Sequence, residues 1–225
     1  MDVHVFIPCF IDQLYPTAGF NTIKVLEKVG CNVHYNPKQT CCGQPAFNAG
    51  YWGESKEVCN KFIDDFQDAE IVVIPSASCT GFVKNYYSKI YDNAPHQKDI
   101  KAFQSKVVEL SDFLVNHLHV DDLGASFHGK VAYHDSCAAL RECNLKKEPK
   151  LLLSKVKGLE LYELDENETC CGFGGTFSVK YEGISTAMGE QKIDHVVDTK
   201  AEYLVSTDLR DRKSTRLNSS HANIS

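Results

Sequence analysis

The chain states one motif twice: TCCGQPAF at Thr40–Phe47 and TCCGFGGTF at Thr169–Phe177. Each copy follows an isolated cysteine. Thirty-one residues separate Cys9 from Cys41, and thirty-two separate Cys137 from Cys170. A Cys…Cys-Cys-Gly array repeated at matched spacing implies paired metal sites in a duplicated fold.

The rest of the sequence is consistent with two copies of one α/β plan. VHVFIP reads as a strand running into Cys9. PTAGFNTIKVLEKVG then places Phe20, Ile23, Val25, Leu26 and Val29 at helical spacing, with Gly30 as a C-terminal stop. CNVHYN alternates as a strand before the first TCCG loop. A helix from about Glu54 to Phe66 leads to EIVVIPS, a β-branched run suited to a buried parallel strand that delivers Cys79. KVVELSDFLVNHL is expected to close this half as a helix.

The second half repeats the order. KVAYHDS leads to Cys137, a helix around Lys150–Val156 precedes the strand LELYEL, and TCCG follows. A helix over Ile184–Val197 then precedes AEYLVSTD. Strands alternating with helices predict βαβ units and mainly parallel sheets, hence two similar Rossmann-like halves. The expected division is a first domain over 1–120, a polar connector over 121–129 and a second domain over 130–209. Ala69-Glu70 aligns with Ala201-Glu202, which sets Cys79 opposite Asp211, so the second half lacks its third cysteine. From Arg210 the apolar pattern stops, and 210–225 reads as a non-native or disordered tail.

Composition narrows the chemistry. A net charge of −6 and a pI near 5.8 give no general attraction to phosphate backbones, which argues against nucleic-acid binding. No apolar run reaches the ~18 residues of a membrane span, and the start lacks the features of a secretory signal. A cytoplasmic setting is expected. There, ten cysteines point to metal or redox chemistry and away from a disulfide framework.

Cys9, Cys41, Cys42 and Cys79 are predicted to converge at the carboxyl edge of one parallel sheet, where open α/β sheets form their ligand crevice. Cys137, Cys170 and Cys171 do so in the other half. Thiolates without obligatory histidine suit zinc or an iron–sulfur cluster. Compact Cys-x₂₋₄-Cys knuckles typical of structural zinc are absent, and adjacent cysteines suit an extended cluster better than one tetrahedral ion. Gly43, Gly172, Gly174 and Gly175 allow close backbone approach, and their amides can hydrogen-bond sulfur. The Gly-x-Gly-Gly run also fits a phosphate cradle, a weak signal alone.

The array, with IPCFIDQLYP, TCCGQPAFNAG, PSASC, YHDSC and TCCGFGGTFSVKY, resembles the cysteine-rich CCG domain family over Met1 to Asp208. That family includes the catalytic component of heterodisulfide reductase and iron–sulfur subunits of glycolate and glycerol-3-phosphate oxidation. The detailed motifs are most similar to its lactate-utilisation branch. The resemblance implies an iron–sulfur cofactor, a role as electron-transfer subunit in oxidation of L-lactate to pyruvate, and other lactate-utilisation proteins as partners. Heterodisulfide reductase-type sites carry a Cys-x-x-Cys pair where this chain has Cys79-Thr80-Gly81-Phe82, so a four-thiolate [4Fe–4S] cluster in the first half is the expectation. Alternatives are a thiol/disulfide oxidoreductase like heterodisulfide reductase and a zinc-stabilised interaction module.

Other features read more simply. Cys31, Cys59 and Cys143 have no counterpart in the other half and read as buried, inert thiols. His134-Asp135-Ser136 has the letters of a catalytic triad, but consecutive residues cannot face one another as a triad does. His134 is instead a candidate for orienting a ligand from behind. Tyr86 and Tyr87 read as part of an ordinary amphipathic helix.

Overall fold

The computed structural model describes residues 1–91, 97–164 and 166–209. The tail expectation for 210–225 and the position opposite Cys79 lie outside the described residues. The chain forms two compact units, Met1–Leu118 and His119 onward.

The first unit is built on a four-stranded parallel sheet ordered β2-β1-β3-β4. Its strands are β1 (Asp2–Val5), β2 (Asn32–Tyr35), β3 (Val72–Ile74) and β4 (Val107–Glu109). β1 lies centrally, pairing Val3 with Val33 on one side and Val5 with Val73 on the other. Crossover helices Pro16–Lys28 and Trp52–Phe66 return the chain so that each strand runs the same way. Gly30 follows the first of these helices at φ +86°, the left-handed geometry that stops a helix.

Helix Trp52–Phe66 sends Cys59, Phe62 and Phe66 inward at helical spacing. They meet Phe6, Phe82, Tyr87, Phe103 and Val107 in the principal core. Phe6 and Phe62 pack edge to face with centroids 4.8 Å apart. Each such buried side chain contributes about 1.5–3 kcal/mol of transfer free energy.

The helix expected over KVVELSDFLVNHL begins as a strand. β-Branched Val107 and Val108 pair with Val72 and Val73 and are buried. The segment turns helical only at Leu110, where the Glu109 side chain accepts from the amides of Ser111 and Asp112. Edge pairing with β3 outweighs the helical spacing of the apolar residues.

The second unit repeats the central arrangement. Its parallel sheet is ordered β6-β5-β7, with β5 (Ser126–His134), β6 (Lys157–Glu163) and β7 (Tyr203–Ser206). β5 corresponds to β1, β6 to β2 and β7 to β3. β5 starts at Ser126, so the last residues of the expected connector belong to the sheet, with a register shift between Ser126 and Gly129. Helices Lys147–Ser154 and Glu182–Asp198 make the crossovers. The core here is smaller, with Ala132, Leu164 and Val196 buried together. Among the described residues, no helix is long and apolar enough to cross a membrane.

Candidate metal centre

Both units bring their cysteines to the carboxyl ends of the strands. After β1 the chain turns at Pro8 and Cys9 opens helix Cys9–Leu14. After β2 a loop carries Cys41 and Cys42. After β3, Cys79 lies in the first turn of helix Ala77–Ile90. Cys9 and Cys79 thus begin helices a few residues beyond their strands instead of ending the strands themselves. Both positions place sulfur near helix N-termini, where the backbone dipole favours negative charge.

The four sulfurs lie together. Cys9 Sγ is 3.7 Å from Cys41 Sγ, and Cys42 Sγ is 3.4 Å from Cys79 Sγ. Cys42 and Cys79 are buried, whereas Cys9 and Cys41 are partly exposed. Hydrogen bonds to Cys41 and Cys79, then burial, hold the Cys42 thiol well above its usual range. The Gly43 amide donates to Cys41 Sγ at 3.4 Å.

Gly43 is required by this loop. Its φ is +91°, and a Cβ there would meet Cys59 Sγ at 3.0 Å and the Ser55 carbonyl at 3.1 Å. Ser55 Oγ donates to the Gly43 carbonyl at 3.0 Å, and Tyr87 Oη donates to the Cys42 carbonyl at 2.8 Å. Sequence spacing marked neither Ser55 nor Tyr87, because both reach the loop through tertiary packing. Cys59 is fully buried beneath the loop, and burial pushes its thiol up to about 11. Cys31 is also buried, and Cys143 is half-buried.

The second unit reproduces the design. Cys137 opens helix Cys137–Glu142 after β5, and Cys170 and Cys171 follow β6. Cys170 receives hydrogen bonds from Cys137 and Cys171 and from the Gly172 amide, which hold its pKa well below the usual thiol range despite burial. The Gly172 amide lies 3.4 Å from Cys170 Sγ, and Ser185 Oγ donates to the Gly172 carbonyl at 2.8 Å. Gly174 and Gly175 form the turn into helix Thr176–Lys180; Gly174 offers its carbonyl to the Phe177 amide. β7 leads to a buried Asp208.

The polar surroundings of the two sites differ. His134 is buried at the end of β5, where burial and then the charge of Lys192 lower its pKa to about 4. Asp135, also buried, accepts from Asn167 at 2.7 Å and pairs with Lys150 at 3.1 Å. The triad letters therefore divide among separate roles, as consecutive strand-end residues must.

Clustered thiols with glycine amides directed at sulfur suit the all-sulfur coordination and amide hydrogen bonding of iron–sulfur centres. Among the described residues, no group of three or more His, Cys, Asp or Glu is arranged to hold a single metal ion. The cysteine sulfurs pair at hydrogen-bonding distance instead.

Comparison with known proteins agrees with the duplication. The family described as the CCG cysteine-rich domain matches residues 3–84 and again 131–209. The chain is 44% identical over 208 residues to Lactate utilization protein A of Geobacillus kaustophilus (strain HTA426), covering 92% of this chain and 87% of that protein. Similarity to Lactate utilization protein A of Bacillus subtilis (strain 168) is 43% over the same length and coverage. The protein of that name from Oceanobacillus iheyensis is 44% identical over 209 residues, covering 93% of this chain and 86% of its own.

Proposed function

Because the chain belongs to the cysteine-rich CCG domain family, we propose that it is the iron–sulfur subunit of an L-lactate oxidation system in the cytoplasm. Oxidation of L-lactate to pyruvate releases two electrons and two protons, and this subunit passes the electrons from a partner's redox centre towards an acceptor. The observation that carries the reading is the twice-built set of cysteines at parallel-sheet edges, in a chain similar over 92% of its length to proteins named for lactate utilization.

Cys9, Cys41, Cys42 and Cys79 are the ligands proposed for a [4Fe–4S] cluster. Cys137, Cys170 and Cys171 supply three thiolates of the second site. A bound cluster would supply reversible one-electron storage. The protein's part is to fix the sulfurs, donate the Gly43 and Gly172 amides to them, and bury Cys42 and Cys171 away from water.

Exposed apolar groups support a relay role. Tyr51 and Trp52 follow the first cysteine loop and are both more than half exposed, with Trp52 stacked on Phe47 at 5.9 Å. After the second loop, Val179, Tyr181 and Ile184 are likewise exposed. Aromatic and aliphatic groups beside a redox site form the footprint expected for protein docking. Other lactate-utilisation proteins are the proposed partners.

The test is purification of the chain with and without the products of neighbouring lactate-utilisation genes. The chain should co-purify with them, and lactate-dependent reduction of a dye should require them. Robust lactate oxidation by the isolated, cluster-loaded chain contradicts the relay assignment.

A further inference from the structure

The serines beneath the two cysteine loops align the repeat more finely than the cysteines do. Ser55 and Ser185 make the same bond, to the carbonyls of Gly43 and Gly172. Seven residues beyond each serine stand Phe62 and Lys192; eleven beyond stand Phe66 and Val196, both buried. The second unit has therefore placed a lysine where the first has a core phenylalanine. Lys192 is 1% exposed, as deeply buried as its counterpart.

Its ammonium donates to the Glu166 carbonyl at 3.0 Å and the Asn167 carbonyl at 3.1 Å, in the segment leading to Cys170. Neutral carbonyls satisfy its protons without balancing its charge. A buried cation lacking a counter-charge is strongly destabilising, and an apolar side chain of similar size is ordinarily preferred. Asp135 engages Lys150 and Asn167 through Oδ2 and also acts on Lys192 as a negative charge. The negative groups that act on Lys192 are first the sulfurs of Cys171, Cys137 and Cys170, and then Asp135. Burial, the largest influence, lowers the Lys192 pKa, and these cysteines and Asp135 oppose that shift without cancelling it.

We propose that Lys192 is a positioning residue that supplies a buried positive charge to a cluster at the second site, making this the more readily reduced of the two. The inference rests on the iron–sulfur reading given above. Reduction adds negative charge to a cluster, so a fixed cation in a poorly solvated setting stabilises the reduced form and raises its potential. At the first site the equivalent position is Phe62, among Phe6, Phe66 and Tyr87, which offers no such charge. One sequence plan thus yields two centres of unequal potential.

The experiment is anaerobic redox titration of the full chain, followed by electron paramagnetic resonance, in wild type, Lys192→Met and Lys192→Arg. The second-site signal is the one missing from Cys170→Ala. Lys192→Met should shift that signal at least tenfold in its reduction equilibrium, about 59 mV lower for one electron, while the first-site signal stays in place. Lys192→Arg should titrate near wild type. Loss of second-site iron in the Met variant but not in the Arg variant equally supports a required charge. The proposal is overturned if Lys192→Met carries both clusters with unchanged potentials, or if both variants lose the second cluster alike. Wild-type protein that binds no iron or sulfide refutes the cluster reading itself, and this inference falls with it.

Discussion

Tyr87 donates its phenolic hydrogen to the backbone carbonyl of Cys42 across 2.8 Å, tying the first cysteine loop to a helix forty-five residues away in sequence. Both residues are buried, so the bond serves the loop where water cannot. Burial, and then the neighbouring Cys59 and Cys42 thiols, push the Tyr87 hydroxyl well above its usual range, keeping it a donor at any physiological pH.

Tyr87→Phe preserves the ring packing against Phe62 and Phe82 but leaves the Cys42 carbonyl only the longer bond from the Cys59 thiol at 3.7 Å. The expected cost is about 0.5–1.5 kcal/mol, the net contribution of one hydrogen bond. Urea unfolding of the metal-free chain measures it. A midpoint indistinguishable from wild type contradicts a structural role for this bond.

The loop glycines give a graded prediction. Gly50 and Gly172 both adopt left-handed backbone, φ +90° and +81°, but only Gly172 is enclosed. A Cβ on Gly172 would fall 2.5 Å from the Ser185 carbonyl, whereas Gly50 has nothing within 4 Å. Gly50→Ala should cost about 1–2 kcal/mol from conformation alone. Gly172→Ala should cost more and also reduce iron uptake at the second site. Thermal unfolding of the two variants side by side decides it; equal losses argue against steric confinement.

Glu109 makes the first unit's stability fall as pH rises. Burial raises its folded-state pKa from 4.5 to about 7, although hydrogen bonds from Ser111 and Asp112 partly oppose the shift. A carboxyl with a raised folded pKa favours the native state fully below its unfolded value. That advantage disappears as pH climbs through the folded value, so the window is about pH 4.5 to 7. The contribution is on the order of 3 kcal/mol. The difference in unfolding free energy between wild type and Glu109→Gln, followed across that window, should change with this sign. A flat difference shows that Glu109 titrates normally.

The sequence displayed the parts of this architecture that depend on local pattern. The doubled Cys-Cys-Gly loops, the crossover helices and the central strands could all be read from spacing, since a parallel sheet needs continuous apolar strands separated by helices. β4 was obscured because VVELSDFLVNHL has apolar residues at helical intervals; pairing with β3 decides that segment. Tyr87 and Lys192 were obscured for a related reason. Each occupies an unremarkable helix in sequence, and its partner lies on a distant loop. The Lys192 substitution becomes visible only when the repeat is aligned on Ser55 and Ser185 instead of on the cysteines.

The most direct test of the iron–sulfur assignment is elemental: iron and acid-labile sulfide in the anaerobically purified chain, compared among wild type, Cys42→Ser, Cys171→Ser and Cys59→Ser. Wild type should carry iron with matching sulfide. Cys42→Ser and Cys171→Ser should show marked loss, because a serine oxygen is a poor ligand for such clusters. Cys59→Ser should remain close to wild type, since that thiol lies beneath the loop, beside Ser55 and the Cys42 carbonyl. Zinc without sulfide in wild type, or equal iron loss in all three variants, would contradict the central claim.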